Sequence, residues 1–361
     1  MADSKTEINN EFYNSFYNNI QNNERGFISV YDSVENEYHI LKYGVGVRDA
    51  SSLSIIEMRG KDTLDFLNRI STNSVKDLKP YKTVTTIFTN EKGRIIDRVS
   101  VINNDNLVLL ICHKLLKEKL YYWLNKYIIM EDIKTSDESA NYFIYDFYGQ
   151  QVNSFMKMLL EDLADGMLLN QVFRIHLENR EFLFLLMEDF NQTFYRLVGA
   201  SKDKEFLFNY LNQNKSVFDL GMIGETAFDI FRIEHGIPAV PNEINELINP
   251  YESNIISDVS FTKGCYIGQE VIARLDTYDK VQKKLKGVVF SENYELQTPA
   301  IVINNEGVET GMITSVTHSL QLKKQIGLAI LKKGWNESGN KLSLKDKNSI
   351  SLTVSDLPFV K

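Results

Sequence analysis

A cysteine held between two glycines just before a helix start is the feature that most constrains this chain. It lies in residues 263–270, Lys-Gly-Cys-Tyr-Ile-Gly-Gln-Glu. Glycines allow tight or left-handed turns and the close approach of another molecule. The residues from Gln269 to Leu275 are good helix formers, with the acid Glu270 in the first turn. The segment therefore predicts a tight turn that presents Cys265 beside the N–H groups of a helix start.

The surroundings of this thiol favour its ionised form. Free N–H groups, the positive end of the helix dipole and the ammonium of Lys263 all stabilise a thiolate, which is the reactive form of cysteine. We therefore predict that Cys265 is a reactive thiol. The alternative is that it is only a small residue filling a turn. The residues of the motif that would present the thiol are Lys263, Gly264, Gly268, Gln269 and Glu270.

Length and composition bound the class of protein. The chain has 361 residues, of which 43% are hydrophobic, so it is long enough for two or three packed domains. Its net charge of −8 and pI near 5.3 argue against nucleic acid or anionic lipid as partners, because both need a cationic surface. The sequence has no apolar run of membrane-spanning length and no signal-peptide pattern, so we expect a cytoplasmic protein.

The two cysteines occur in different settings. Cys112 ends an apolar run that begins at Leu107 and predicts a buried strand, and free cysteine is among the most buried residue types. A disulfide between Cys112 and Cys265 is disfavoured in a reducing compartment. The five histidines are scattered, and no His/Cys pair has zinc-ligand spacing, so the sequence predicts no metal site.

Hydrophobic spacing between residues 60 and 128 predicts a β-β-β-α block. A helix begins with Asp62 as its cap and runs to about Ile70. Strands are predicted over residues 83–89, 94–102 and 107–112, and a helix over 115–128. The first two strands form a hairpin. We assign this block to an N-terminal α+β region, residues 1–140.

Two further regions follow. Residues 141–283 form a second α+β region, with strands near 142–147, 173–177 and 181–187, and end in the cysteine motif. From 284 to 361, short strand-like segments alternate with glycine-containing turns, which is the pattern of a small antiparallel barrel. The predicted fold class is therefore α+β in several domains, with a C-terminal antiparallel β-barrel.

Asp97 is a charged residue that the strand pattern places on an apolar face. With a repeat of two residues it shares that face with Ile95, Val99 and Val101. Covering a carboxylate is costly unless it is paired or hydrogen-bonded. Either a structural partner or a bound ligand must therefore compensate for Asp97.

The motif at 263–270 resembles the signature of the YgfZ-type folate-binding proteins, relatives of the glycine-cleavage T-protein (aminomethyltransferase). All seven specified positions match. T-proteins usually have Asp-Phe-Ile-Gly-Lys-Glu here and lack the cysteine, so the motif separates two branches of one superfamily. Three pairs further along also follow the family's pattern: Ala273-Arg274, Lys280-Val281 and Lys284-Leu285. The resemblance implies a T-protein-like fold with ferredoxin-like α/β domains, from about residue 60 to the end.

The resemblance also implies site residues. Residues 90–97 are similar to the T-protein stretch that ends in two aspartates, which include its catalytic and folate-contacting acid. Here the first is Asp97, but the second is Arg98. Residues 228–236, the end of a predicted helix capped by a glycine, resemble the Arg-x-Glu-x-Gly segment whose arginine lies at the folate site. The residues implied to bind tetrahydrofolate are Asp97, Arg232, Glu234 and Tyr266, and those implied to be catalytic are Cys265 and Asp97.

One departure concerns the pterin ring of the folate. T-proteins supply an acid for it from a Gly-Glu-x-Gly-x-Glu run, and the corresponding stretch here, 179–187, lacks that run. The N–H donors of a pterin are best matched by a bidentate carboxylate. The chain therefore either binds folate loosely or uses another acid.

Three functions of different classes follow. The resemblance implies first a tetrahydrofolate-binding accessory protein for iron–sulfur enzymes, with Cys265 carrying out thiol or cluster chemistry. The second is a tetrahydrofolate-dependent aminomethyl- or methyltransferase, which Asp97 and Arg232 favour and Arg98 opposes. The third is a noncatalytic interaction module that kept the fold. The expected partners are folate and iron–sulfur proteins. We expect the protein itself to be a monomer or a weak oligomer.

Overall fold

The computed structural model describes residues 11–161, 166–277 and 281–360. Within these residues, no helix is long and apolar enough to cross a membrane. The strands are β1 Gln21–Asn22, β2 Ile28–Val30, β3 Val45–Asp49, β4 Leu53–Arg59, β5 Lys82–Thr89, β6 Ile95–Asn103, β7 Val108–His113, β8 Lys134–Asp137, β9 Tyr142–Tyr148, β10 Val172–Leu177, β11 Arg180–Asp189, β12 Gln192–Ala200, β13 Leu220–Ile223, β14 Lys283–Phe290, β15 Ala300–Ile303, β16 Glu309–Ser319, β17 Lys324–Lys332, β18 Lys341–Leu344 and β19 Lys347–Ser355.

Helices cover the sheets that these strands form. The α-helices are α1 Val34–Tyr43, α2 Thr63–Ile70, α3 Lys117–Tyr127, α4 Val152–Leu160, α5 Lys204–Gln213, α6 Glu225–Glu234 and α7 Gln269–Thr277. Short 3₁₀ turns span Glu11–Ser15, Ser201–Asp203 and Ile256–Asp258. The predicted helix after the cysteine motif is therefore present as α7.

The first sheet confirms the predicted β-β-β-α block. Its five strands lie in the order β5-β6-β7-β4-β8, and every pair is antiparallel. Helices α2 and α3 pack on one face, where Phe66 and Trp123 join a cluster that contains Cys112. Cys112 is fully buried there, as predicted.

The second sheet draws strands from both sides of residue 140. Its order is β10-β11-β12-β9-β3-β13, with β13 parallel to β3 and the other pairs antiparallel. Strand β3 comes from the N-terminal part of the chain, so the predicted boundary at 140 does not coincide with a boundary between sheets. Residues of both sheets, such as Ile111 and Phe194, share one apolar cluster with α1 and α6.

The C-terminal segment is a closed antiparallel barrel, as predicted. Its strands follow the order β14-β17-β16-β15-β18-β19. Alternate side chains fill the interior, among them Val288, Ile313 and Leu352. Helix α6 ends beside this barrel, and Gly236, just past its end, has the positive φ of +71° expected of a helix-ending glycine.

The start of α2 differs from its predicted cap. Asp62 occupies the N-cap position, but its side chain makes no hydrogen bond to the first turn. Its carboxylate instead accepts the backbone N–H of Asp132 at 2.8 Å. The helix bounds follow the prediction, whereas the capping interaction was wrong because a tertiary donor takes the carboxylate.

The cysteine motif packs against the turn between β5 and β6. The Thr89 hydroxyl donates to the carbonyl of Ile267 at 2.7 Å. Gly268 has φ +86°, and an added Cβ would lie 2.6 Å from the carbonyl oxygen of Asn90. Around Gly264, by contrast, the described residues leave open space. The conformational freedom predicted for both glycines is therefore required only at Gly268.

Replacing these two glycines in turn tests this difference. Gly268→Ala should lower the free energy of unfolding by about 2–4 kcal/mol, since it adds strain at positive φ and a clash with backbone. Gly264→Ala should change it by less than about 0.5 kcal/mol. Urea denaturation measures both, and equal effects would contradict the packing described here.

Candidate functional site

A cavity of about 260 Å³ lies between the two sheets. The five-stranded sheet contributes Thr85, Arg98, Ser100, Ile111 and His113 to its lining, and the six-stranded sheet contributes Arg48, Asp146, Tyr148, Met187, Glu188, Asp189, Phe194 and Arg196. Helix α6 and residues 237–244 close one side. The segment around Arg25, which is exposed, forms part of its rim.

The charges of this cavity are arranged as arginine–carboxylate pairs. Charged groups away from water need such partners. The shortest N–O distances are Arg48–Glu225 2.8 Å, Arg98–Asp189 2.8 Å, Arg98–Asp258 2.6 Å, Arg196–Asp146 2.6 Å and Arg232–Asp229 2.5 Å. Burial alone would lower the pKa of Arg98, but Asp189 and Asp258 hold that pKa above its ordinary value.

Aromatic side chains also form part of the cavity wall. Tyr148 and Phe194 stack with ring centroids 5.0 Å apart and an interplanar angle of 17°. The guanidinium of Arg48 lies 3.9 Å above the ring of Phe228. A cavity with flat aromatic walls and a few fixed polar groups suits a flat heteroaromatic ligand.

The strand β6 turns Arg98, not Asp97, toward the cavity. Phe88 pairs with Asp97 and Thr89 with Ile95, so Ile96 is an extra residue in the strand. As a result Ile95 belongs to a different apolar cluster from Val99, and the predicted common face of Asp97 with Ile95 was wrong. Asp97 is fully buried and is not among the residues that line the cavity.

Asp97 has a structural partner, His113. Its Oδ1 lies 2.6 Å from Nδ1 of His113 and accepts the N–H of Arg98 at 2.8 Å, while its Oδ2 accepts the N–H of His113 at 2.9 Å. The His113 ring lines the cavity. Sequence reasoning missed this histidine, although the hairpin register that pairs Ser100 with Ile111 also brings 97–98 near 113.

Of the other two predicted folate residues on α6, one reaches the cavity. Arg232 lines it, and each of its guanidinium nitrogens has a protein acceptor: Asp229, Glu243 with the carbonyl of Ile237, and Ser315. Glu234 lies outside the lining. It is fully buried against the barrel, where it accepts the hydroxyls of Tyr38 and Ser319.

The cysteine motif also lies outside the cavity. Lys263 donates to the carbonyls of Asn68 at 2.6 Å, Ser71 at 2.7 Å and Asn73 at 2.6 Å, so it anchors the motif to the end of α2. Burial lowers the pKa of Lys263 to about 8. These three carbonyls thus hold the ammonium of Lys263, and its predicted influence on the Cys265 thiol stays a prediction.

The other motif residues face different surroundings. Tyr266 is buried, and burial raises its pKa to about 12. Gln269 is half-buried, and Glu270 is exposed in an ion pair with Arg274. Cys265 is exposed. In the part of the chain that the structure describes, neither this thiol nor Cys112 belongs to a group of three or more His, Cys, Asp or Glu side chains placed to hold a metal ion.

Two acids that sequence reasoning missed come directly after the stretch 179–187. Glu188 and Asp189 end β11 and line the cavity. Both oxygens of Asp189 accept hydrogen bonds from Arg98 at 2.8 Å. Glu188 is exposed and is also among the residues that line the cavity. The signal that would have found them is their position at the end of β11, next to Met187, which also lines the cavity.

Comparison with protein families identifies the class of protein that this fold defines. Residues 8–263 match the GCVT N-terminal domain, and residues 283–361 match the glycine cleavage T-protein C-terminal barrel domain. The chain therefore belongs to the glycine cleavage T-protein family.

Individual relatives cover nearly the whole chain. A putative chloroplastic transferase of Arabidopsis thaliana is 27% identical over 93% of this chain and 76% of its own length. An aminomethyltransferase of Caldanaerobacter subterraneus is 25% identical over 92% of this chain and 89% of its own. The crystal structure of glycine cleavage system aminomethyltransferase T from Bartonella henselae superposes with a TM-score of 0.82 at 16% identity, covering 94% of both chains, which confirms the predicted T-protein-like fold.

The two thiols should differ in reactivity with iodoacetamide. Cys265 is exposed, whereas Cys112 is buried, and burial with the nearby Asp97 charge raises the pKa of Cys112 well above its ordinary value. Cys265 should therefore label first in the native protein, and Cys112 only on unfolding. Mass-spectrometric mapping of the labelled peptides decides this, and early labelling of Cys112 would contradict its burial.

Proposed function

We propose that this protein binds tetrahydrofolate in the cavity between its sheets and transfers a one-carbon unit carried on that folate. The observation that carries the proposal is the cavity itself, in which fixed arginine–carboxylate pairs surround the stacked rings of Tyr148 and Phe194. The match of residues 8–263 to the GCVT N-terminal domain, and relatives named aminomethyltransferases, support it.

Glu188 is the acid that we assign to the pterin ring. The 2-amino and N3–H donors of a pterin suit a carboxylate with both oxygens available. Asp189 is occupied by Arg98, and Asp146 by Arg196. Glu188 lines the same cavity, and the hydrogen bonds found among the described residues do not occupy its carboxylate.

Arg48 supplies a donor for an acceptor group of the ligand. The residue is only 8% exposed and lines the cavity, and its Nη2 donates to Ser52 and Glu225. Its buried Nε has no hydrogen-bond partner among the described residues. Because an unpaired buried donor is costly, a carbonyl or carboxylate of the folate at this position would remove that cost.

Titration calorimetry with tetrahydrofolate tests the assignment. Glu188→Gln should weaken binding about tenfold or more, since hydrogen bonds to a charged group contribute about 1.5–3 kcal/mol. Glu181→Gln, an exposed acid on the same strand outside the cavity, is the matched control and should bind as wild type does.

Turnover completes that test. Purified protein, given tetrahydrofolate and the aminomethyl-loaded lipoyl carrier of glycine cleavage, should form methylene-tetrahydrofolate, and Glu188→Gln should form it more slowly. Wild-type protein that neither binds nor turns over tetrahydrofolate at millimolar concentration would refute the proposal.

A second candidate function rests on Cys265. The exposed thiol, with open space around Gly264, favours an accessory role for iron–sulfur enzymes, in which folate binding serves thiol chemistry on a client protein. This role explains why a cysteine motif lies away from the cavity. Iron–sulfur proteins as partners and a cytoplasmic location stay predictions.

Complementation separates the two functions. In a strain that lacks this protein, the second function requires loss of activity in certain iron–sulfur enzymes, strongest under oxidative stress because exposed clusters and thiols are both oxidised. Wild type should restore that activity and Cys265→Ser should not. Full rescue by Cys265→Ser, together with failure of Glu188→Gln, would assign the cellular role to the cavity alone.

A further inference from the structure

The hydrogen bonds around Asp97 fix both of its oxygens. Two backbone N–H groups, from Arg98 and His113, donate to the carboxylate, and the imidazole of His113 is the third group in contact with it. The carboxylate is fully buried, so it neither rotates freely nor meets solvent. Its position therefore fixes the orientation of the His113 ring.

This contact also decides which ring nitrogen carries the hydrogen. Oδ1 of Asp97 is an acceptor for the N–H of Arg98, so Nδ1 of His113, 2.6 Å away, must donate to it. In the neutral ring Nε2 then holds a lone pair. The side chain of His113 is 26% exposed and lines the cavity, and the contacts recorded among the described residues leave Nε2 unused.

We propose that His113 is the proton-transfer residue of this cavity and that Asp97 is its positioning residue. The assignment of the substrate rests on the proposed function: the proton comes from an amine nitrogen of the bound reduced folate. A carboxylate–imidazole pair of this geometry serves as a general base in unrelated enzymes, where the carboxylate sets the tautomer and stabilises the imidazolium. The acid predicted to act directly thus acts through a histidine.

The step involves a proton and no change of oxidation state. The neutral amine nitrogen attacks the aminomethyl carbon with its own lone pair; the new N–C bond forms as the C–S bond to the lipoyl carrier breaks, and the electron pair of that bond leaves on the sulfur. The attack makes the amine nitrogen an ammonium, and the lone pair on Nε2 takes its proton: the N–H bond breaks as the Nε2–H bond forms, and the electron pair stays on the substrate nitrogen. Asp97 stabilises the imidazolium that results. The proton then leaves for solvent through the rim, part of which is formed by the exposed Arg25.

Selective ¹⁵N labelling of histidine tests the dyad in the ligand-free protein. In wild type, one histidine, identified by its absence from His113→Gln, should carry hydrogen on Nδ1 and none on Nε2 in slightly alkaline buffer. Asp97→Asn replaces one of the two accepting carboxylate oxygens with an NH2 donor and should shift that histidine toward the Nε2–H tautomer. A wild-type His113 with hydrogen on Nε2 overturns the proposal whether or not folate binds.

The rate of transfer tests the role of the dyad. His113→Gln should lower kcat about 100-fold or more while KM changes less than about threefold, because a general base acts in the transition state. His318→Gln, an exposed histidine outside the cavity, should change neither. Asp97→Asn should also lower kcat; if this buried variant does not fold, His113→Gln decides.

The outcomes separate this proposal from the one on which it rests. Turnover by wild type with unchanged kcat in His113→Gln overturns the proton-transfer role and leaves folate binding intact. Absence of tetrahydrofolate binding refutes the substrate, and the tautomer of His113 then decides whether the dyad itself stands.

Discussion

The buried ion pair between Arg232 and Glu243 joins the parts of the chain that enclose the cavity. Arg232 comes from α6, and Glu243, fully buried, accepts from Ala239 in the closing loop and from Ser315 in the barrel. Removing one member of such a pair leaves an uncompensated buried charge, at a cost of about 3–5 kcal/mol. The position of the barrel against the two sheets therefore depends on this contact.

The same physical rule shapes the rest of the cavity. Each buried arginine there has its own carboxylate, so the lining stays polar without a net charge that would have to be neutralised by the ligand. Groups left over from this pairing, such as Nε of Arg48 and the carboxylate of Glu188, are then the ones available to a ligand. The adjacent residues Asp97 and Arg98 face opposite sides of one strand, which separates the positioning acid from the cavity charge.

Local patterns predicted most of the architecture, because secondary structure and burial follow from the spacing of apolar residues along a few turns or strands. The hairpin at 83–102, the buried strand ending at Cys112, the end of α6 and the barrel are all of this kind. The pattern failed at Ile96, where one inserted residue reverses the alternation, and at Asp62, whose carboxylate binds a distant N–H. Neither the bulge nor the distant donor leaves a signal within a few residues.

By itself, the sequence determined the fold class, the burial of Cys112, the exposed setting of a glycine-flanked thiol and, through Arg232, one residue of the cavity. Tertiary structure alone decided that Asp97 contacts His113, that Arg98 faces the cavity, that Glu234 packs on the barrel and that Glu188 ends a strand at the site. The physical reason is the separation along the chain over which each effect acts. Periodicity acts between neighbours along the chain, whereas these positions depend on the register of adjacent strands, on a bulge and on the packing of a helix against the barrel.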